Sequence, residues 1–275
     1  MTFLVLLLVA LILLWTPWRI GYPKEVLAPW VNWAGRRGRD WLALLAIFSL
    51  LVPLGLLLWG VQSLFYGLLT LILHVALLLL CVGRHDPLGR MIQDCHAAWQ
   101  RGDHAAAGLI AEQQLGVVPA DETETLPVAV QGRLVAVTLQ DYFVPAFWYL
   151  LLGPLGAVAW RLLWLTAQRP TLPASRPAAM LAHALEWIPA RLLGLSLALV
   201  GHFEVTLRTL RDLAGDWDLP GGELASRCAR AALSGGTVEL AAAEQQNDIL
   251  IETRQLMIRA LLTWAVIIAF LSMLG

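Results

Sequence analysis

The sequence predicts an all-α, polytopic integral membrane protein, and three observations carry that prediction. Hydrophobic residues make up 59% of the 275 and charged residues only 14%, with a mean hydropathy of +0.68. A soluble domain runs nearer half apolar and about a quarter charged. Four long apolar runs stand out, and no strand-like alternation or fixed-period repeat accompanies them. This composition excludes an ordinary soluble enzyme, a disordered chain and a nucleic-acid binder. The formal net charge is −1, and Lys24 is the only lysine among 19 basic residues. Cys81, Cys95 and Cys228 form no CxxC pair, so free thiols on the reducing side are expected.

The apolar runs are Phe3 to Trp15, Trp41 to Gly60, Leu64 to Val82 and Leu256 to Leu274. A span needs about 20 apolar residues at ~1.5 Å rise each. The last three runs reach that length. The first reaches it only with Trp18 as an interfacial anchor. Met1-Thr2 supplies no basic n-region and Thr16-Pro17-Trp18 is a poor cleavage site, so the run reads as an uncleaved anchor and not a signal peptide.

Two further segments are broken. Phe143 to Leu165 contains Gly153-Pro154, Gly156 and Arg161, and the short stretch Trp187 to Val200 contains Pro189 and Arg191. A buried arginine in a span costs several kcal/mol, so neither reads as a plain span.

Charge orients the chain. Only Val61-Gln62-Ser63 separates the second and third runs, which therefore form a tight helical hairpin. Arg19, Lys24, Arg36, Arg37 and Arg39 precede it and Arg84 and Arg90 follow it, which places both flanks in the cytoplasm. Arg208, Arg211, Arg227, Arg230 and Arg254 favour the same side for residues 202–255. Phe143 to Leu165 is then expected to enter and return, turning at Gly153-Pro154-Leu155-Gly156 with arms of about ten residues, or ~15 Å each. The competing arrangement makes it and Trp187 to Val200 two full spans. The expected divisions are an anchor and hairpin (1–82), a cytoplasmic helical segment (83–142), the broken segment with its following helix (143–201), a second cytoplasmic segment (202–255) and a C-terminal span (256–275). The expected partner is the lipid bilayer, and the expected location is the bacterial inner membrane.

The cytoplasmic parts also read as helices. Met91, Cys95, Ala98 and Trp99 recur at helical spacing. Asp103 is a good N-cap for a helix from His104 to Leu115 that ends at Gly116. An acidic loop follows (Asp121, Glu122, Glu124), and Leu126 to Leu139 leads helically into the broken segment. Leu207, Leu210 and Ala214 line one helix, and Leu224, Cys228 and Ala231 line the next, punctuated by Gly221-Gly222 and Gly235-Gly236. A third helix starts near Val238 and runs into the last span.

Chemistry-bearing residues are few. His85-Asp86, Asp94, His96, Asp103 and His104 are metal-ligand types, but a turn separates them and no HExxH spacing exists, so they read as solvated helix residues. No metal and no cofactor is expected. His74 lies mid-span and is expected to bond a neighbouring helix. Arg161 and Arg191 lie in apolar segments among Trp148, Trp160, Trp164 and Trp187. They either snorkel or pair with Glu186 and Asp141, or they present a cationic pocket to a phosphate or carboxylate. The candidate ligand-binding set is Trp148, Arg161, Glu186, Trp187 and Arg191. No P-loop, nucleophile elbow or Cys/His pair occurs, and no catalytic residue is assigned.

Several stretches together carry a family resemblance: Leu80-Cys81-Val82-Gly83, Gln100-Arg101-Gly102-Asp103, Pro145-Ala146-Phe147-Trp148-Tyr149-Leu150-Leu151-Leu152-Gly153, Glu186-Trp187-Ile188-Pro189-Ala190-Arg191-Leu192 and Leu199-Val200-Gly201-His202. In order, they resemble the AmpE family of inner-membrane proteins linked to β-lactamase regulation. AmpE is similar in turn to CbiB/CobD, membrane enzymes of cobalamin synthesis that form an amide bond with ATP. The resemblance implies a regulator in β-lactamase induction and cell-wall fragment signalling, tied functionally to a cytoplasmic muropeptide amidase. Where the enzymes carry polar site residues, this chain holds Ala136, Val137 and Gln140, then Trp164 and Ala167, then Ala182 and His183, with Gly116-Val117-Val118-Pro119 in place of a GRDT element. Carboxylates are what Mg²⁺ requires from a protein, so the comparison favours a scaffold without the ATP-dependent chemistry. Polar site residues flank both ends of the broken segment in those enzymes, which implies that both ends reach one site and supports re-entry.

Overall fold

The computed structural model describes residues 2–15, 25–36, 39–61, 67–83, 88–117, 126–234 and 243–274. The Trp18 anchor, Arg19, Lys24, Arg37, the Gln62-Ser63 turn, Arg84, His85-Asp86, the Asp121, Glu122 and Glu124 loop, and Gly235-Gly236 lie outside the described residues. In chain order the elements are α1 (Thr2–Trp15), α2 (Ala28–Ala34), α3 (Asp40–Phe48), α4 (Leu51–Val61), α5 (Leu68–Cys81), α6 (Arg90–Gln100), α7 (His104–Leu115) and α8 (Leu126–Thr138). A π-helical turn at Leu139–Phe143 follows, then α9 (Val144–Leu152), α10 (Pro154–Ala167), α11 (Ser175–Val200), α12 (Phe203–Leu213), α13 (Gly221–Ser234) and α14 (Ala243–Leu274). Among the described residues every regular element is helical, as the missing period-two pattern predicts.

Four stretches are long and apolar enough to cross a membrane: Asp40–Val61, Leu126–Leu152, Ser175–Val200 and Asp248–Phe270. The chain is a multi-pass membrane protein. The set differs in membership from the four runs read off the sequence. Thr2–Leu13 and Leu68–Cys81 are shorter apolar helices. Leu126 to Leu139, expected to lead helically into the broken segment, is continuous with α9, and a π turn carries the helix through Leu139–Phe143 without a break. Trp187 to Val200 gains length from Ser175 onward, and the helix accommodates Pro189 in its interior.

The described residues fall into two compact units. The first comprises Met1–Gly83 and Asp141–Glu186, with Leu274–Gly275. Its centre is α10, which packs along α9 and against α2, α3, α4 and α5. Gly156, Ala157, Val158, Trp160, Arg161, Leu162, Leu163, Leu165 and Thr166 of α10 are all buried, and a helix apolar nearly all round is a core helix. α9 and α10 form the expected hairpin. Gly153 takes φ 69°, a conformation open to glycine, and Pro154 starts α10 with a fixed φ suited to the first helical turn. At Gly156 a Cβ would come within 2.5 Å of the Trp148 carbonyl oxygen. Close backbone approach of this kind drives association where lipid removes the hydrophobic force between helices. By length, α9 rises ~14 Å and α10 ~21 Å. The outward faces of α3 and α4 expose Trp41, Leu42, Leu45, Val52, Leu56, Leu57 and Trp59, an apolar surface suited to lipid.

The second unit comprises Arg84–Gln140 and Trp187–Met273. α6 and α7 form an antiparallel pair. The Asp103 carboxylate accepts from the Ala106 amide at 3.0 Å, satisfying an orphan N–H of the first turn, and Gly116 ends the helix at φ 65°. Ile92, Cys95, Ala98, Ala107 and Ala111 pack with Leu134 and Val137 of α8 and Leu250 of α14. α13 lies on α8 and pairs with α12, burying Leu210, Leu224 and Cys228. The sequence pattern placed Leu224 and Cys228 correctly. On α12 the buried positions are Thr206 and Leu210. All three cysteines are free thiols and buried. Burial raises the Cys95 thiol above its ordinary value and pushes Cys228 up to about 11.

Candidate functional site

Trp148, Arg161 and Glu186 belong to the first unit and Trp187 and Arg191 to the second, so each group has its own surroundings. Arg161 sits on the most enclosed helix of its unit, with a side chain 5% exposed. An unpaired cation there would carry a large desolvation cost. Two carboxylates offset it. Nη1 donates to Asp141 Oδ1 at 3.1 Å and Nη2 donates to Glu25 Oε1 at 2.6 Å. Asp141 is as buried as the arginine (7%), whereas Glu25 is 31% exposed. Nε is buried and finds no acceptor among the described residues.

Local structure explains how Asp141 reaches this position. It lies in the π turn, and such insertions occur frequently at functional sites. The Gly83 amide donates to the Asp141 carbonyl at 3.2 Å. A Cβ at Gly83 would fall 1.8 Å from Asp141 Cγ, so only glycine admits the carboxylate beside the end of α5. The Leu80-Cys81-Val82-Gly83 stretch thereby acquires a physical reason. Of the partners foreseen for the two arginines, Asp141 pairs with Arg161. Glu25 was not foreseen, because 136 residues separate it from Arg161. One signal existed: Glu25 is the only acidic residue before Asp40.

Trp148 links two of the sequence motifs. Its Nε1 donates to the Leu185 carbonyl at 3.2 Å. In an uninterrupted helix that carbonyl would accept from the amide of residue 189, but residue 189 is proline and has no N–H. The indole supplies the donor that Pro189 lacks. Glu186 is buried.

In the second unit, Arg191 holds backbone. Nε donates to the Ala214 carbonyl at 2.9 Å, Nη1 to Trp187 at 3.1 Å and Nη2 to Asp216 at 2.9 Å. Ala214 is the C-cap of α12, where a cation also complements the helix dipole. The guanidinium lies 3.7 Å over the Trp187 ring, and Trp187 in turn lies 6.0 Å from Trp217. This geometry makes Arg191 a clamp on the segment after α12.

The other residues singled out have ordinary surroundings. His74 bonds the Tyr149 hydroxyl at 3.1 Å, as expected of a mid-span histidine. His96 lies 3.4 Å from Asp248 and His104 packs edge-on to Trp99. Trp160 stacks on Trp164. Among the described residues, no three His, Cys, Asp or Glu side chains converge as a metal site.

Fold and site together define a multi-pass α-helical membrane protein with a buried, carboxylate-held arginine on the central helix of its first unit. A family profile described as "Regulatory signalling modulator protein AmpE" matches residues 38–227. The chain belongs to the AmpE family. It is 30% identical over 195 residues to the protein AmpE of Shigella flexneri, covering 65% of this chain and 67% of that one. It is 31% identical over 186 residues to the cobalamin biosynthesis protein CobD of Chromobacterium violaceum, covering 64% of this chain but only 57% of the CobD length. No solved structure matches.

Proposed function

We propose that this chain is an inner-membrane regulator that acts in β-lactamase induction and cell-wall fragment signalling, with most of its loops in the cytoplasm and a functional link to a muropeptide amidase. The family profile over residues 38–227 supports the regulatory reading. In this proposal the protein binds an anionic group through Arg161, with Trp148 and Glu186 as candidate contacts on the same unit. The observation that carries the ligand part is Arg161, a guanidinium 5% exposed whose Nε has no acceptor among the described residues. Arginine forks are the usual means of reading carboxylates and phosphates.

The test is a chromosomal deletion in the source bacterium with a β-lactamase reporter, complemented by wild type and by Arg161→Gln. Altered induction restored by wild type alone supports the proposal. Unchanged induction on deletion rejects it. Cysteine accessibility in intact cells tests the orientation: labelling of exposed positions on α12 from the outside would reverse the assigned side. The likeness to CobD favours one alternative, an ATP-dependent amide-forming enzyme. Turnover of ATP with Mg²⁺ by purified protein would establish that alternative.

A further inference from the structure

We propose that Glu25 is a tethered occupant of an anion site on Arg161, and that a ligand presenting two acceptor oxygens on one atom, a carboxylate or a phosphate, displaces it. This rests on the anionic-ligand reading above and adds its regulation. A guanidinium offers paired N–H groups along its edges, and Nε and Nη2 form one such edge, shaped for two oxygens at once. Asp141 holds the opposite nitrogen, Nη1, and is buried with it. Glu25 binds Nη2 through a single oxygen, and Nε, the other nitrogen of that edge, is left without an acceptor among the described residues. The two carboxylates are therefore unequal. Asp141 is locked in the π turn against Gly83. Glu25 stands outside any helix, ahead of α2, and is 31% exposed. It covers an arginine that is itself nearly sealed. Exchange of one anion for another keeps a negative partner on Arg161, while a two-oxygen ligand also satisfies Nε.

The site predicts competition between ligand and tether. A tethered group competes at an effective concentration near the millimolar range, so Glu25→Gln, which removes the charge and keeps the shape, should tighten inorganic phosphate binding about tenfold. Arg161→Lys keeps a cation without the fork, and combined with Glu25→Gln it should abolish that gain. Titrations use the full chain in phosphatidylcholine nanodiscs. Because a change at Arg161 endangers folding, a second measurement leaves it intact. Val26 is 54% exposed, and a nitroxide on Val26→Cys reports the motion of the adjacent Glu25. Phosphate should mobilise the label to the level seen without phosphate in Glu25→Gln. Mobilisation already present in phosphatidylglycerol discs without phosphate assigns a lipid headgroup as the displacing group. Mobilisation only on adding phosphate assigns a free solute. Phosphate binding of equal strength in wild type and Glu25→Gln, with an unmoved label, overturns the tether and leaves the anion reading standing. No binding in either protein overturns both.

Discussion

The bond between Trp148 and the Leu185 carbonyl makes a prediction that can be worked through numerically. Pro189 removes the amide that would normally reach Leu185, and the Trp148 indole takes its place at 3.2 Å. Trp148→Phe keeps a ring but removes the donor, leaving a partly buried carbonyl without a partner, at about 1–3 kcal/mol. Pro189→Ala restores the helical amide, so the same carbonyl is then bonded from within α11. In that background Trp148→Phe should lose only a redundant bond, about 0.5–1.5 kcal/mol. The two substitutions should therefore couple by about 1 kcal/mol, with the double variant more stable than the sum of the single effects. The assay is a double-mutant cycle by detergent-titrated unfolding followed by circular dichroism. Additivity within about 0.3–0.5 kcal/mol would refute the idea that the indole substitutes for the missing amide.

Three further outcomes follow from the packing. Gly83→Ala should abolish stable expression of the folded protein, since its Cβ would lie 1.8 Å from Asp141 Cγ; a folded protein of wild-type thermal stability in size-exclusion and melting experiments would contradict this. Gln131 is fully buried on α8 and neither amide atom finds a partner among the described residues, so Gln131→Met should stabilise by about 1–2 kcal/mol, read as a raised unfolding midpoint. Cys228 keeps its proton in the folded state up to about pH 11, against an ordinary value of 9.0. Its contribution to stability is thus complete below about pH 9 and fades as pH rises toward 11. Iodoacetamide should label it at pH 8 only after denaturation, and rapid labelling of the native protein would disprove its burial.

The helices themselves were legible because their causes are local. Asp103 caps α7, Gly116 ends it, and Gly153-Pro154 turns the hairpin, each through residues within one turn of the event. The helical run of α8 into α9 was legible from its apolar residues, but the π turn that carries it was not, because a π turn has no strong sequence signature. Arg161 and Asp141 were visible as an arginine in an apolar segment and an acid near its start. Arg191 looked like a companion ligand contact, but its acceptors are main-chain carbonyls, which sequence does not display.

Taken alone, the sequence determined the membrane setting, the helical class, the hairpin turn and the family, since hydropathy, period and motif order are properties of neighbouring residues. The tertiary structure alone decided how the few charges are spent. Glu25 and Arg161 are 136 residues apart, and no local rule connects them. In an apolar interior a charge must find its opposite wherever the fold brings one, and that pairing is a property of the packed helices.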